Sequence, residues 1–149
     1  MMWFDSKDRR ALFIDKRQEV HQMNRGPRSA GRNPAVIAPD VLADFTAMPF
    51  PDESFYMVVF DPPHIRRGSE TGYLVQKYGR LPVDWQEMIR RGFAECFRVL
   101  RPHGTLIFKW AETNYSLSEV LALTPHAPLF GSRRGKGTHW CVFMKASCE

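Results

Sequence analysis

The chain is expected to fold as an α/β protein with a mostly parallel sheet and a C-terminal antiparallel hairpin. Short apolar runs alternate with longer helical patterns, which is how a largely parallel sheet announces itself. Residues 55–60, Phe-Tyr-Met-Val-Val-Phe, form an unbroken strand-like run that stops at Asp61. Near the end, two strand-like stretches flank Gly131-Ser132-Arg133-Arg134-Gly135-Lys136-Gly137, a join rich enough in glycine to turn a hairpin.

The elements follow in order. Ala11-Leu12-Phe13-Ile14 reads as a buried strand ending at Asp15, and a polar stretch with Gly and Pro fills residues 18–34. Ala35-Val36-Ile37 is a second short strand, and Val41-Leu42-Ala43 leads to Asp44. A turn-rich segment, residues 49–54, introduces the Phe55 strand. Residues 64–82 carry three glycines and four Lys or Arg without a clear period, and read as a long functional loop. Asp84 is placed as the N-cap of a helix with apolar positions Met88, Phe93, Cys96, Phe97 and Leu100. Pro102-His103-Gly104 stops that helix, and Thr105-Leu106-Ile107-Phe108 opens the next strand. A short helix over residues 116–123 precedes the terminal strands at 127–130 and 138–145.

Composition bounds the function classes. At 149 residues, 44% hydrophobic and 25% charged, the chain has the balance and length of one globular domain. No apolar run approaches the roughly 20 residues of a membrane span, so no membrane partner is expected. The first residues lack a basic head followed by an apolar stretch, so no secretory leader is expected and the cytoplasm is the expected location. Cys96, Cys141 and Cys148 are odd in number and lack ligand spacing; the first two read as small core residues, and no metal is expected. His103, His126 and His139 are scattered and read as structural, and Trp85 and Trp140 as packing residues. A net charge of +5 suits an anionic partner, although many basic proteins bind no nucleic acid.

The segment that carries chemistry is Asp61-Pro62-Pro63-His64. Open α/β sheets place reacting groups at the carboxyl ends of their strands, where this tetrapeptide falls. Two prolines fix φ twice and remove two donors, leaving a rigid segment with outward carbonyls. A planar exocyclic amine has its lone pair delocalised into the ring. Asp61 and the Pro62 carbonyl can accept its two hydrogens, favour a pyramidal nitrogen and aim its lone pair at an electrophilic methyl. His64 would lie on the base. Positioning and electrostatics would then supply the catalysis. The plain alternative is a tight turn that ends a strand.

On these residues the chain resembles class I S-adenosylmethionine-dependent methyltransferases of the N6-adenine and N4-cytosine group. Their hallmark is Asp, Asn or Ser, two prolines, and an aromatic residue or His. Residues 43–55, from Ala43-Asp44-Phe45 to Phe55, are similar to the family segment running past the cofactor adenine into the catalytic strand. Residues 97–106 resemble the helix-turn-strand of class I methyltransferases generally. The resemblance spans about residues 11–145 and implies a Rossmann-like three-layer sandwich as a single domain. It implies S-adenosylmethionine as cofactor: Asp15 would hold the ribose hydroxyls, Asp44 the adenine amino group and Phe45 the adenine ring, with Asp61 also at the cofactor.

The family's first strand and Gly-rich loop have no counterpart before Ala11. Three explanations stand: a start assigned downstream of the true one, a truncated relative, or another chain supplying the strand, for instance in a homodimer. No separate target-recognition domain is expected within these 149 residues. Nucleic-acid binding, DNA in preference to RNA, would therefore fall to Arg66, Arg67, Lys77, Tyr78 and Arg80 in the long loop, beside Tyr73, and to Arg133, Arg134 and Lys136 in the hairpin. Lys109 and Trp110, past a strand's carboxyl end, are further candidates to line the site. The leading expectation is N6-adenine methylation in DNA. N4-cytosine, an RNA base amine, a small-molecule or protein amine, and a catalytically silent binding module are the alternatives.

Overall fold

A computed structural model describes residues 4–5, 7–21, 35–67, 73–132 and 137–147. The chain divides into two compact units, residues 1–45 and 46–149.

In the first unit, β1 (Ile14–Asp15) pairs in parallel with β4 (Val41–Leu42), and β2 (Glu19–His21) pairs antiparallel with β3 (Ala35–Ile37). The strand expected from Ala11 is shorter than its apolar run. Phe13 donates its N–H to the Asp40 carboxylate at 2.8 Å, and its carbonyl accepts from Asp40 and Val41. That side-chain bond takes the place of a ladder bond, so regular pairing begins only at Ile14. β2 lies in the stretch read as polar loop; three residues of which two are exposed leave no apolar alternation to detect.

The second unit is built on a four-stranded sheet of order β5-β6-β8-β7, with β5 (Phe55–Phe60), β6 (Leu100–Ala111), β7 (Phe130–Gly131) and β8 (Thr138–Met144). β5 and β6 are parallel, whereas β6–β8 and β7–β8 are antiparallel. The expectation of a mostly parallel sheet is therefore corrected: this sheet is mixed. The terminal hairpin was foreseen, but its strand β8 adds directly to β6 and so contributes two of the three pairings.

Helix α2 (Trp85–Val99) covers one face of this sheet. Phe93 lies 4.9 Å from Phe108, 5.4 Å from Phe60 and 6.0 Å from Phe143, ring centre to ring centre. Ile89, Val99, Leu100, Leu106 and Val120 are fully buried with them. Removing a ring such as Phe93 from a core of this kind costs about 3–5 kcal/mol. Asp84 stands at the N-cap, yet its side chain makes no capping bond. Its φ of −90° and ψ of 30° are outside the extended region that aims a carboxylate back at the first helical N–H groups.

The helix ends at Val99, one residue earlier than its apolar spacing implied, and Leu100 opens β6. Pro102-His103-Gly104 does turn the chain, but inside β6. Leu100 pairs with Phe55 and Thr105 with Met57, so four residues bulge out against one on β5. His103 adopts a φ of 61°, and a side chain on Gly104 would meet the Arg101 carbonyl at 2.8 Å.

The long loop contains a helix that its sequence did not announce, α1 (Tyr73–Tyr78). Gly79 ends it at a φ of 79° and donates to the Val75 carbonyl, a glycine C-terminal stop. Helix α3 (Leu117–Leu121) starts at a capping box in which Ser116 and Glu119 satisfy each other's backbone. Among the described residues no helix is long and apolar enough to cross a membrane.

Candidate active site

The tetrapeptide follows β5 directly, at its carboxyl end. Phe60 is in register with Phe108 on the parallel neighbour β6, so Asp61 and Lys109 emerge side by side. The Lys109 ammonium donates to Asp61 Oδ2 at 2.7 Å, with 20% and 27% of the two side chains exposed. Pro62 is buried and His64 half-buried.

His64 has two aromatic neighbours, Tyr78 at 6.1 Å and Trp110 at 6.4 Å, the latter edge-on at 74°. Burial holds its pKa below the usual histidine value and the Lys109 charge adds to this, while the Asp61 carboxylate and a hydrogen bond to the Pro62 backbone oppose them. Proline has no N–H, so the Pro62 carbonyl is the acceptor of that bond. A carbonyl has two lone pairs, so it retains capacity for a second donor.

The segment after His64 is tied down. Leu81 donates to the Ile65 carbonyl and Arg80 Nε to the Arg66 carbonyl, both at 2.8 Å. Arg66 donates its N–H to Asn114 at 2.8 Å, and its guanidinium donates to the Tyr115 hydroxyl. Tyr115 stacks on Trp85 at 4.0 Å and accepts from the Trp110 indole through its carbonyl at 3.0 Å. Asn114 and Tyr115, both beyond the end of β6, were missed by sequence reasoning. Only the register of β5 on β6 brings them to His64's segment.

The other expected site residues fall as follows. Arg67 and Tyr78 are exposed, and the Lys77 ammonium lies 5.0 Å from the Tyr78 ring. Arg133, Arg134 and Lys136 lie outside the described residues, as does the Tyr73 side chain. In the first unit, Asp15 ends β1 and Asp44 comes two residues after β4, at the same end of a parallel pair. Both oxygens of Asp15 accept from Arg17, at 2.9 to 3.1 Å. Asp44 lies 3.8 Å from the Lys16 ammonium, and Phe45 is half-buried. A carboxylate has about four acceptor positions, and Arg17 occupies three of those on Asp15. Lys109, weighed from sequence only as a lining residue, proves to be the direct partner of Asp61.

The remaining polar side chains read as structural. His126 stacks on Phe97 at 3.6 Å. His139 is buried, with its Nδ1 on the Ser132 carbonyl at 3.1 Å. Cys96 and Cys141 are buried free thiols, and burial pushes the Cys96 pKa far up, so that thiol is inert. Among the described residues no group of three or more His, Cys, Asp or Glu is placed to hold a metal.

No protein-family model matches the chain, and no curated protein matches it. Among solved structures, the PH0226 protein from Pyrococcus horikoshii OT3 is similar over 70% of this chain, at 14% sequence identity and a TM-score of 0.49. This chain spans 58% of the length of that one, and a likeness so distant has no bearing on activity.

Proposed function

We propose that the chain is an S-adenosylmethionine-dependent methyltransferase acting on an exocyclic amine of a nucleic-acid base, with N6 of adenine in DNA the leading substrate. The observation that supports this most is the end of β5: a partly exposed carboxylate, a rigid Pro-Pro segment, and an imidazole with two aromatic neighbours. Asp61 and the Pro62 carbonyl accept the two amine hydrogens, and Pro63 keeps the segment stiff. His64, neutral and half-buried, lies against the base. The amine lone pair, freed from conjugation, faces the methyl carbon.

The cofactor supplies an electrophilic methyl on a sulfonium. In this reading Asp15 takes its ribose hydroxyls, Asp44 its adenine amino group and Phe45 its adenine ring. The whole chain is taken as one Rossmann-like, three-layer domain. Arg66, Arg67, Lys77, Arg80 and the hairpin cations Arg133, Arg134 and Lys136 provide the cationic surface for phosphates, with DNA preferred to RNA. Such a protein would work in the cytoplasm.

A second reading, a catalytically silent module that binds nucleic acid or a partner, is favoured by the Arg17 clamp on both Asp15 oxygens. Calorimetric titration with S-adenosylmethionine separates the two. Binding in the micromolar range, weakened by Asp44→Ala, is expected of the enzyme. Absence of any binding overturns the enzyme reading and leaves the module.

A further inference from the structure

The partner of Asp61 points to how the acceptor base is chosen. Asp61 and Lys109 leave adjacent parallel strands at one level, because Phe60 and Phe108 are paired. Their ion pair is isolated and partly exposed, and pairs that solvent reaches contribute about 0–1 kcal/mol. Yet Lys109 is well placed. Its strand neighbours Phe108 and Trp110 are fully buried, and Trp140 faces it across the β6–β8 ladder, so its stem starts from rigid backbone. An ammonium has three protons, and Asp61 takes one of them.

What the pair presents at the strand end is an acceptor with a donor 2.7 Å beside it. The complementary edge has an N–H donor and a lone-pair acceptor separated by one atom. Adenine carries that edge with the donor on the exocyclic atom, at its 6-amine and N1, as cytosine does at its 4-amine and N3, whereas thymine and hypoxanthine carry it reversed, with the exocyclic oxygen as acceptor and the ring N–H as donor. We infer that Lys109 reads the ring nitrogen next to the acceptor amine, so that Asp61 and Lys109 together select an aminated base by a two-point contact. Lys109 is then a specificity-determining residue and Asp61 keeps the amine. This rests on the proposed base-methylating reading and adds to it the atom that decides which base is taken.

The test uses the full chain and needs no cofactor. Fluorescence anisotropy compares single-stranded oligothymidylates bearing one central adenine, one 1-deazaadenine (ring N1 replaced by C–H), or one hypoxanthine (amine replaced by carbonyl). Loss of a hydrogen bond to a charged group weakens wild-type binding of the 1-deazaadenine strand about tenfold or more. Lys109→Met binds the adenine and 1-deazaadenine strands alike, and Lys109→Arg regains the preference. Lys109→Gln is the second variant should Lys109→Met fail to fold by circular dichroism; its amide still donates and keeps part of the preference. Equal wild-type affinity for adenine and 1-deazaadenine, with hypoxanthine still discriminated against, overturns the role of Lys109 alone. So does a tenfold preference that persists in Lys109→Met. Equal affinity for adenine and hypoxanthine, or no binding to any strand, overturns the base-reading site itself and this inference with it.

Discussion

The two ends of strand β5 both hold ion pairs, and they are built in opposite ways. At the amino end Arg98 donates to Glu95 at 2.6 and 2.8 Å, to Asp52 at 2.7 Å, and to the Phe50 and Met48 carbonyls at 2.8 and 3.0 Å. Glu95 in turn accepts from the Met48 N–H at 2.7 Å. Nearby, Arg101 lies 4.5 Å from the Tyr56 ring and donates to its hydroxyl at 2.7 Å. These bonds stitch α2 to the turn that enters β5. At the carboxyl end the Lys109–Asp61 pair makes a single bond, flanked by His64, Tyr78 and Trp110. A group that spends every donor on its own chain holds the fold, whereas one that keeps donors and lone pairs in reserve beside aromatic rings can receive a ligand.

If that contrast is right, substitutions at the two ends should separate activity from stability. The largest effect is expected at the carboxyl end. Asp61→Ala should lower methyl transfer by at least about 10²-fold. Its unfolding free energy should stay within roughly 1 kcal/mol of wild type, because the pair it breaks is partly exposed. Urea titration alongside the transfer assay reads both. A large stability loss would mean that Asp61 belongs to the structural class after all.

Next comes the amino end. Arg98→Met removes bonds to two carboxylates and two carbonyls, so stability should fall on the order of 2 kcal/mol after allowing for solvent screening. Oligonucleotide affinity should be unchanged at temperatures where the variant is folded. An unchanged urea midpoint would dissolve the comparison from this side.

The two ends should also respond differently to acid. Bonds from Arg98, then that from Met48, hold the Glu95 pKa below its ordinary 4.5 in the folded state. Its contribution is present above about 4.5 and is lost as pH falls through the lower folded value, because the unfolded chain binds that proton first. Glu95→Gln should flatten stability across that window. His64 acts in the window above it. Burial keeps its folded pKa under the ordinary 6.5, so the unfolded chain gains the proton first as pH drops below 6.5, and stability declines until His64 titrates in place. His126, also held low by burial and then by the Lys145 charge, adds to that decline, so His64→Phe should shrink it without abolishing it and leave the Glu95 window intact. Urea midpoints between pH 3.5 and 7.5 would show both, and a His64→Phe profile identical to wild type would contradict the burial assigned to the imidazole.

How far the sequence disclosed this site depended on range. The tetrapeptide, the strand before it and helix α2 were legible, because each is set by neighbours a few residues apart. The turn at Pro102–Gly104 was seen, but its placement inside β6 was not, since helix-to-strand passage at Leu100 leaves no local break in apolar spacing. α1 escaped notice because a six-residue helix offers barely one repeat of the period. The pairing of Asp61 with Lys109, and the hold of Asn114 and Tyr115 on Arg66, were invisible because they bridge 48 to 49 positions. The mixed sheet was misjudged for a related reason: a run such as Thr138–Met144 states that it is a strand without stating which neighbour it joins or in which direction. The smallest expected effect probes a feature set by local residues alone. Ser116→Ala should cost about 1 kcal/mol through its cap on α3, with nucleic-acid affinity unmoved.

The central claim is that the carboxyl end of β5 methylates a base amine. Its most direct test is incubation of the chain with methyl-tritiated S-adenosylmethionine and adenine-bearing DNA, followed by digestion to nucleosides and chromatography. Label in N6-methyladenine with the wild-type chain, and none with Asp61→Ala, is the result expected. Label that persists in Asp61→Ala, or no labelled nucleoside from DNA or RNA of any base composition, would contradict the account.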